Sequence, residues 1–408
     1  MGTNLKGCLV RLIIHGLVSL IDVFLIVLGF LGPRKKKADD TGCVVLVTGT
    51  FYAANWATAH IRPLAFSKKC ARVLVVTTYP LPPMEKVEAI YPPKLLVKTI
   101  GSVPARLLTF FWIAITRSPH VIGGFHLLMN GMLAALIAKF IGAKSIYFCV
   151  GGPMELLGGG IYSENRLFGK LEAPDERLEK KLIQLVRHFD LVVTMGKKAI
   201  DFFKENGVES NFQAISGGLD SNRFYPAASP PDFDLILVGR LAPIKRIDLF
   251  LHVVEVLRLT KRGIKAVIVG DGALRAKLEQ TIHDLSLDKN IEMVGHQKDV
   301  EGWLRRSRIF VLTSDSEGLA LSLMEAMMCG LPAVVSDVGE LSELVEQGVN
   351  GYLISDRSAG SFSDRILEIL SDKTVYSRFS EAACRSAERH DLAETTNKWN
   401  EIFKMIYC

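Results

Sequence analysis

The feature that most constrains this chain is a recurring alternation. Short runs of apolar, β-branched residues each end in a small or polar turn, and a stretch with helical spacing follows. "CVVLVTGT" (43–50) and "ARVLVVTT" (71–78) read as the first two strands, with others expected at 144–150 and 190–194. A proline-rich stretch, "YPAASPPDF" (225–233), interrupts the pattern. It restarts with "DLILVGR" (234–240), "KAVIVGDG" (265–272), "RIFVLTS" (308–314) and "LPAVVSD" (331–337). Strands without polar alternation are buried on both faces, as in a parallel sheet covered by helices. The expectation is an α/β chain with two Rossmann-like doubly wound domains joined by a proline-rich hinge. At 408 residues the chain is long enough for two full cores. Its seven cysteines contain no C-x-x-C pair, so neither a zinc cluster nor a disulfide framework is expected.

A mostly apolar run, Leu9 to Leu31, precedes the first strand. As a helix its 23 residues reach about 35 Å, enough to cross a bilayer core. Asp22 lies mid-run and would cost about 2.5–3.5 kcal/mol at the bilayer centre. Spanning is the first expectation, and an in-plane or re-entrant anchor and a soluble start stay open. A cleaved signal peptide fits less well, since the run is long and no small-x-small cleavage pattern follows. The basic cluster Arg34-Lys35-Lys36-Lys37 after the run places the globular part on the cytoplasmic side.

Charge is distributed unevenly. Residues 1–150 hold 17 Lys/Arg against 5 Asp/Glu, while the remainder is net acidic. A basic front half suits an anionic partner such as acidic headgroups or a phosphorylated substrate. No arginine-rich or base-stacking motif points to nucleic acid, and none is expected as a partner.

Ligands of doubly wound sheets bind beyond the carboxyl ends of the strands. Two constellations stand there. In "SEGLALSLMEAMMCGLPAVVSD" (316–337) the helix from Leu319 to Cys329 is apolar on every face except for Ser322 and Glu325. A buried lone carboxylate is costly unless it is paired or binds something. Glu317 lies in the turn before this helix, and the backbone of Gly318, Leu319 and Ala320 at its positive end makes a phosphate seat. In "GRLAPIKR" (239–246), Arg240 and Lys245 put two cations after a strand, able to neutralise a diphosphate. The structural alternatives are a carboxylate paired to a core arginine, a helix cap and solvated loop charges.

Together these segments resemble the retaining, nucleotide-sugar-dependent glycosyltransferases of the GT-B fold that carry an E-x7-E signature, the group 1 or family 4 type. Glu317 and Glu325 match that signature, and Gly239, Arg240 and Lys245 match the family's G-R-L-x-x-x-K. "ISGGLDSNRFYP" (215–226), "VGDG" (269–272) and "GVNGYLI" (348–354) are similar to further landmarks, and the likeness is dense only in the second half. With the apolar run and its basic flank as a membrane anchor over 1–38, the expected organisation is an N-terminal Rossmann-like acceptor domain over 39–226, a C-terminal Rossmann-like donor domain over 227–385 and a helix, 386–408, packing back on the first domain. The resemblance assigns roles to the motifs. It implies that Arg240 and Lys245 hold the donor diphosphate, that Glu325 bonds the ribose, and that Glu317 contacts the transferred sugar. Gly318 to Ala320 would touch sugar and phosphate. Configuration is retained in that family without a metal, so no cofactor is expected beyond a UDP- or GDP-linked sugar as substrate. The single D-x-D, Asp232-Phe233-Asp234, precedes a strand and reads as linker chemistry, and "GDGALR" (270–275) lacks the third glycine of a dinucleotide fingerprint.

The first half departs from the family. Gly151 stands where a His reaching the donor sugar is common, and His126, following a strand, is the candidate substitute. Gly49 takes the place of the first-strand glycine turn, and the glycine-rich turn 151–160 offers room for a bulky acceptor. "VPARLLTFFWIAITR" (103–117) suits either membrane docking or a core helix. The function expected is transfer of a sugar to a lipid-linked or otherwise anionic acceptor at a membrane. The alternatives are a nucleotide-sugar epimerase and a non-catalytic membrane scaffold.

Overall fold

The computed structural model describes residues 5–33, 35–36, 42–157, 174–227 and 230–407. Arg34 and Lys37 of the basic cluster, residues 158–160 of the glycine-rich turn and residues 228–229 of the hinge lie outside the described residues. The chain forms two compact units, Met1–Gly218 with Ala393–Cys408, and Leu219–Leu392.

Unit 1 begins with helix α1 (Leu5–Leu31) and continues through β1 (Cys43–Thr48), α2 (Ala54–Phe66), β2 (Cys70–Val76), β3 (Val87–Ile90), α3 (Lys94–Ile100) and α4 (Ser102–Arg117). There follow β4 (Val121–Phe125), α5 (Met132–Ile141), β5 (Lys144–Cys149), α6 (Glu176–Leu185), β6 (Leu191–Thr194), α7 (Lys197–Glu205) and β7 (Phe212–Ala214). The strands form one parallel sheet in the order β3-β2-β1-β4-β5-β6-β7. Successive side chains alternate between its faces. Val45, Val47, Val73 and Ile146 pack with α2 residues on one side, while Leu46, Leu74 and Ile122 pack with Phe110 of α4 and Ala134 of α5 on the other. Tyr147 and Cys149 extend this second face towards α1 and α6.

Unit 2 runs β8 (Phe233–Val238), α8 (Ile247–Thr260), β9 (Ala266–Val269), α9 (Arg275–Asp284), β10 (Ile291–Gly295), α10 (Val300–Arg305), β11 (Ser307–Leu312), α11 (Leu321–Met328), β12 (Ala333–Ser336), β13 (Gly351–Ile354), α12 (Ala359–Ser371) and α13 (Lys373–Glu388). Its parallel sheet has the order β10-β9-β8-β11-β12-β13. The last helix, α14 (Leu392–Tyr407), returns to unit 1, where Trp399, Ile402 and Phe403 join the core with α2. The units divide the chain at Gly218–Leu219 and Leu392–Ala393, whereas the sequence reading put the divisions after 226 and 385. Leu219 bonds backbone to backbone with His390 and Leu392, which draws the first residues after the division into unit 2.

Both sheets therefore reverse strand order once, between β1 and β4 in unit 1 and between β8 and β11 in unit 2. The space past the carboxyl ends of such a pair is where doubly wound sheets bind ligands.

Candidate active site

At the switch point of unit 2, the turn after β8 carries Gly239, Arg240 and Lys245, and the turn after β11 carries Glu317. The two turns are fastened together. Asp315 N–H donates to Ile244 O (2.8 Å), and the buried Thr313 hydroxyl donates to Arg246 O (2.9 Å). Across this brace Lys245 Nζ meets Glu317 Oε1 at 2.5 Å, and Ser314 Oγ donates to the same oxygen at 2.6 Å. The Glu317 side chain is only 9% exposed, so the pair is stronger than a surface ion pair. The stem of Lys245 lies over Gly239, whose absent Cβ would be 3.9 Å from its Cδ and Cε.

Two glycines let these turns close. A Cβ on Gly270 would meet Gly239 O at 1.8 Å, and one on Gly339 would meet Glu317 O at the same distance. Neither position admits a side chain without moving the backbone that carries the charged pair.

Arg240 is exposed on the same turn as Lys245. Leu319 and Ala320 are buried where α11 starts, and Ala320, the first cap residue, supplies no side-chain cap. Glu325 is buried one turn further on, and Arg223 lies within its field; Arg223 itself is held above its usual pKa chiefly by a hydrogen bond to Glu301. The D-x-D lies at the opposite end of β8. Asp232 is ion-paired with Arg306 (2.6 Å) and Asp234 with Lys261 (2.7 Å).

The switch point of unit 1 is built differently. His126, directly after β4, has φ 65 and Met129 has φ 62, left-handed conformations that cost non-glycine residues about 1–3 kcal/mol each. Glu155, in a 3-10 turn after β5, secures this corner. His126 Nδ1 lies 2.8 Å from Glu155 Oε2, and Gly151 N–H donates to the same oxygen at 3.1 Å. The Tyr147 hydroxyl donates to Glu155 Oε1. That phenol stands well above its ordinary pKa, mainly through burial and then through the neighbouring Cys149 and Glu155. The imidazole at 126 and the backbone at 151 thus share one carboxylate oxygen. A side chain at 151 would press on that carboxylate, with its Cβ 3.2 Å from Oε2.

Beside this corner stands Arg106 of α4, only 3% exposed. It donates from Nη1 to Gly49 O and Thr50 Oγ1 and from Nη2 to Asn130 Oδ1, each at 2.9 Å. Its Nε is buried without a hydrogen-bond partner, and among the described residues no carboxylate pairs with it. Burial pulls its pKa down, opposed by the Tyr52 and Tyr79 phenols. Gly49 is required by packing as well, since a Cβ there would meet Phe125 Cβ at 2.9 Å.

The structure thus joins Lys245 and Glu317 in direct contact, carries Gly239 and Arg240 on the same turn as Lys245, and buries Glu325 on the helix that follows. Sequence reasoning missed Ser314, Thr313, Arg106, Asn130 and Glu155. One signal was available for Glu155: no Asp or Glu occurs between Glu88 and Glu155, so an isolated carboxylate in a long acid-free stretch was there to be questioned.

Residues 220–386 match the family model for glycosyl transferases group 1. The poly(ribitol-phosphate) alpha-N-acetylglucosaminyltransferase of Staphylococcus aureus (strain COL) is 30% identical over 168 residues, which is 41% of this chain and 34% of that protein. The UDP-Gal:alpha-D-GlcNAc-diphosphoundecaprenol alpha-1,3-galactosyltransferase of Escherichia coli is 30% identical over 177 residues, 40% of this chain and 46% of its own length. The chain thus spans between a third and a half of these two relatives. Among solved structures, Anabaena HepE in complex with UDP and glucose superposes with a TM-score of 0.69 at 18% identity, covering 89% of this chain and 99% of that one. Sucrose-phosphate synthase from Thermosynechococcus elongatus gives a TM-score of 0.72 at 16% identity, covering 90% and 99%. The chain therefore has the two-domain GT-B fold, and its residues 220–386 are similar to the glycosyl transferases of group 1.

Proposed function

We propose that this chain is a retaining, metal-independent glycosyltransferase. It moves a sugar from a UDP- or GDP-linked donor to a lipid-linked or membrane-associated acceptor on the cytoplasmic side of a membrane. The observation that carries the reading is the Lys245–Glu317 pair, braced at the switch point of unit 2 and buried enough for its charges to act in a low dielectric. Two relatives are named for anionic or lipid-diphosphate acceptors, and the basic first half of this chain suits such a partner.

In this reading Lys245 and Arg240 take up the diphosphate, and the start of α11, from Gly318 to Ala320, adds backbone N–H groups to it. A phosphate arriving at Lys245 competes with Glu317 for the ammonium. The carboxylate then turns to the transferred sugar, so the unliganded ion pair keeps both groups in place until the donor enters. Glu325 bonds the ribose hydroxyls. His126, tethered through Nδ1 to Glu155, serves in place of the histidine that Gly151 lacks. The acceptor oxygen attacks the anomeric carbon from the side the diphosphate leaves. The carbon–oxygen bond to phosphate breaks as the glycosidic bond forms, and the acceptor's proton passes to the departing phosphate oxygen. Charge growing on that phosphate is met by fixed cations and a helix end, the electrostatic help that is largest when preorganised.

The test is donor hydrolysis and transfer with Lys245→Ala and Glu325→Ala, with and without a chelator. Loss of turnover in both variants and indifference to chelator are expected. Full activity in both variants refutes the assignment, and loss of wild-type activity on chelation refutes metal independence.

A further inference from the structure

Helix α1 has an inverted polarity. Its 22 residues Val10–Leu31 have a mean hydropathy of 2.5, enough by composition to cross a bilayer. The helix is nevertheless seated along its length on unit 1. Ile14, Val18 and Leu25, with Ile21, follow a heptad spacing and pack against Met132 and Ala135 of α5 and Leu178 and Leu182 of α6. The polar residues in its middle face the same way. His15 Nε2 lies 2.9 Å from Asp175 Oδ2, Ser19 accepts from Lys181 Nζ at 2.8 Å, and Asp22 Oδ1 meets His188 Nε2 at 2.7 Å and Arg187 Nη2 at 3.3 Å. Burial raises the Asp175 pKa, but the His15 hydrogen bond, a backbone N–H and Arg11 outweigh it, so the carboxylate stays ionised in the seat.

The opposite face is apolar throughout: Leu12, Leu20, Phe24, Val27, Phe30 and Leu31 are all exposed. A helix resting on a water-soluble domain ordinarily turns its polar side outward; here each polar side chain in the middle of the helix is spent on the seat. A spanning helix would have to abandon this seat and carry Asp22 without Arg187 and His188 into lipid. We propose that α1 is an in-plane, monotopic anchor: it stays docked on α5 and α6, and its outward face lies in one leaflet of a lipid bilayer with anionic headgroups. This rests on the membrane-associated reading above and fixes its mode.

Lipid is favoured as the occupant by charge and by continuity. Arg11, Lys36 and Arg187 edge the helix, and the first 150 residues are strongly basic, complementary to acidic headgroups. α5 packs against both α1 and α4, and all three belong to the same side of the sheet. On α4 and α5 the apolar exposure continues through Leu108, Phe111, Trp112 and Phe140, while Phe110 is turned into the core. Tryptophan beside basic side chains is the composition of a membrane interface.

The test uses the full chain with Cys8→Ser and Lys6→Cys, reconstituted in sealed vesicles of phosphatidylcholine with 30% phosphatidylglycerol, counting only molecules whose unit 2 is open to added protease. An impermeant maleimide is followed by the mass of the N-terminal peptide. Labelling of position 6 without detergent, equal to that with detergent, is expected. Labelling only after detergent overturns the in-plane anchor and leaves membrane association standing. Failure of the chain to float with these vesicles overturns both, and flotation no weaker with neutral vesicles overturns the preference for anionic headgroups. A second variant, Phe24→Asn with Val27→Asn, alters only exposed positions; a tenfold or greater loss of flotation at an unchanged melting temperature is expected, and unchanged flotation overturns the assigned face.

Discussion

The two switch points of this chain do the same geometric task with different materials. In unit 2 the charged groups come from two turns whose residues are close in sequence to the strands that aim them, and a carboxylate meets a cation directly, Glu317 on Lys245. In unit 1 the corner is assembled from four separate segments, with Gly49 and Thr50 after β1, Arg106 from α4, Asn130 and His126 after β4, and Glu155 after β5, and its buried cation is held by neutral oxygens. A paired charge can exchange its partner for a substrate at modest cost. A guanidinium buried among carbonyl, hydroxyl and amide oxygens is chiefly a brace, because removing it strands the acceptors it serves.

This contrast predicts opposite mutational signatures. Lys245→Ala should lower transfer by about 100-fold or more, the loss seen when one preorganised electrostatic group is removed, with little change in the melting of unit 2. Its neighbour Arg246 pairs with the exposed Asp248 and Asp315, and Arg246→Ala should cost less than a few-fold. Steady-state kinetics on both variants, beside thermal denaturation, measures the difference. Comparable losses would erase the distinction between the two cations.

Arg106→Met should do the reverse. It removes three hydrogen bonds and leaves Gly49 O and Asn130 Oδ1 buried near a methyl group, which predicts about 3 kcal/mol of lost stability in unit 1. Denaturant titration followed by fluorescence of the unit 1 tryptophans Trp56, Trp112 and Trp399 reports it. A variant as stable as the parent would mean that the brace is unnecessary.

The same comparison explains what was legible beforehand. Unit 2 was readable because its site depends on local spacing: a strand, a turn and a charge a few residues on, repeated twice. The buried strands β1, β2, β8, β9, β11 and β12 were equally plain, being continuous β-branched runs. The edge strands β3 and β7 were not, because their residues are all half-exposed and short, which weakens the apolar signal. Arg106 was invisible for another reason. It occurs in a helix whose pattern fits both membrane and core, and α4 is indeed double-faced, with Phe110 buried and Trp112 exposed. Nothing in linear spacing tells that one basic residue of such a helix turns inward to reach a turn more than fifty residues earlier. The tie between His126 and Glu155 escaped for the same reason: the two lie 29 residues apart, so no local motif announces their contact.

Acid should separate the units. His60 of α2 is fully buried beside Trp56, and burial lowers its pKa to about 4 from 6.5. The unfolded chain therefore takes up this proton first. The stabilisation is complete above about pH 6.5 and is lost as pH falls towards 4, a change of about 3 kcal/mol. His188, also in unit 1 and lowered mainly by burial, acts in the same direction. In unit 2 the shifted carboxylate Glu301 is raised by burial but lowered overall by Arg223, so its contribution is lost only below about pH 4.5. Calorimetry between pH 7 and 5 should show the transition of unit 1 moving down before that of unit 2, and His60→Gln should flatten the dependence. A common shift of both transitions would contradict it.

The smallest effect expected lies beside the donor turn. Asp315 accepts ion pairs from Arg246 (3.4 Å) and Arg357 (2.9 Å), and all three side chains are about two-fifths exposed. Water and salt screen such pairs, so Asp315→Asn should change stability by less than about 1 kcal/mol. Its backbone N–H, which holds Ile244 O, is untouched by the substitution, so the brace between the two turns survives and turnover should stay within a few-fold of the parent. A large loss of turnover at unchanged stability would show that the field of this exposed carboxylate reaches Lys245, and that unit 2, like unit 1, relies on charges outside its motifs.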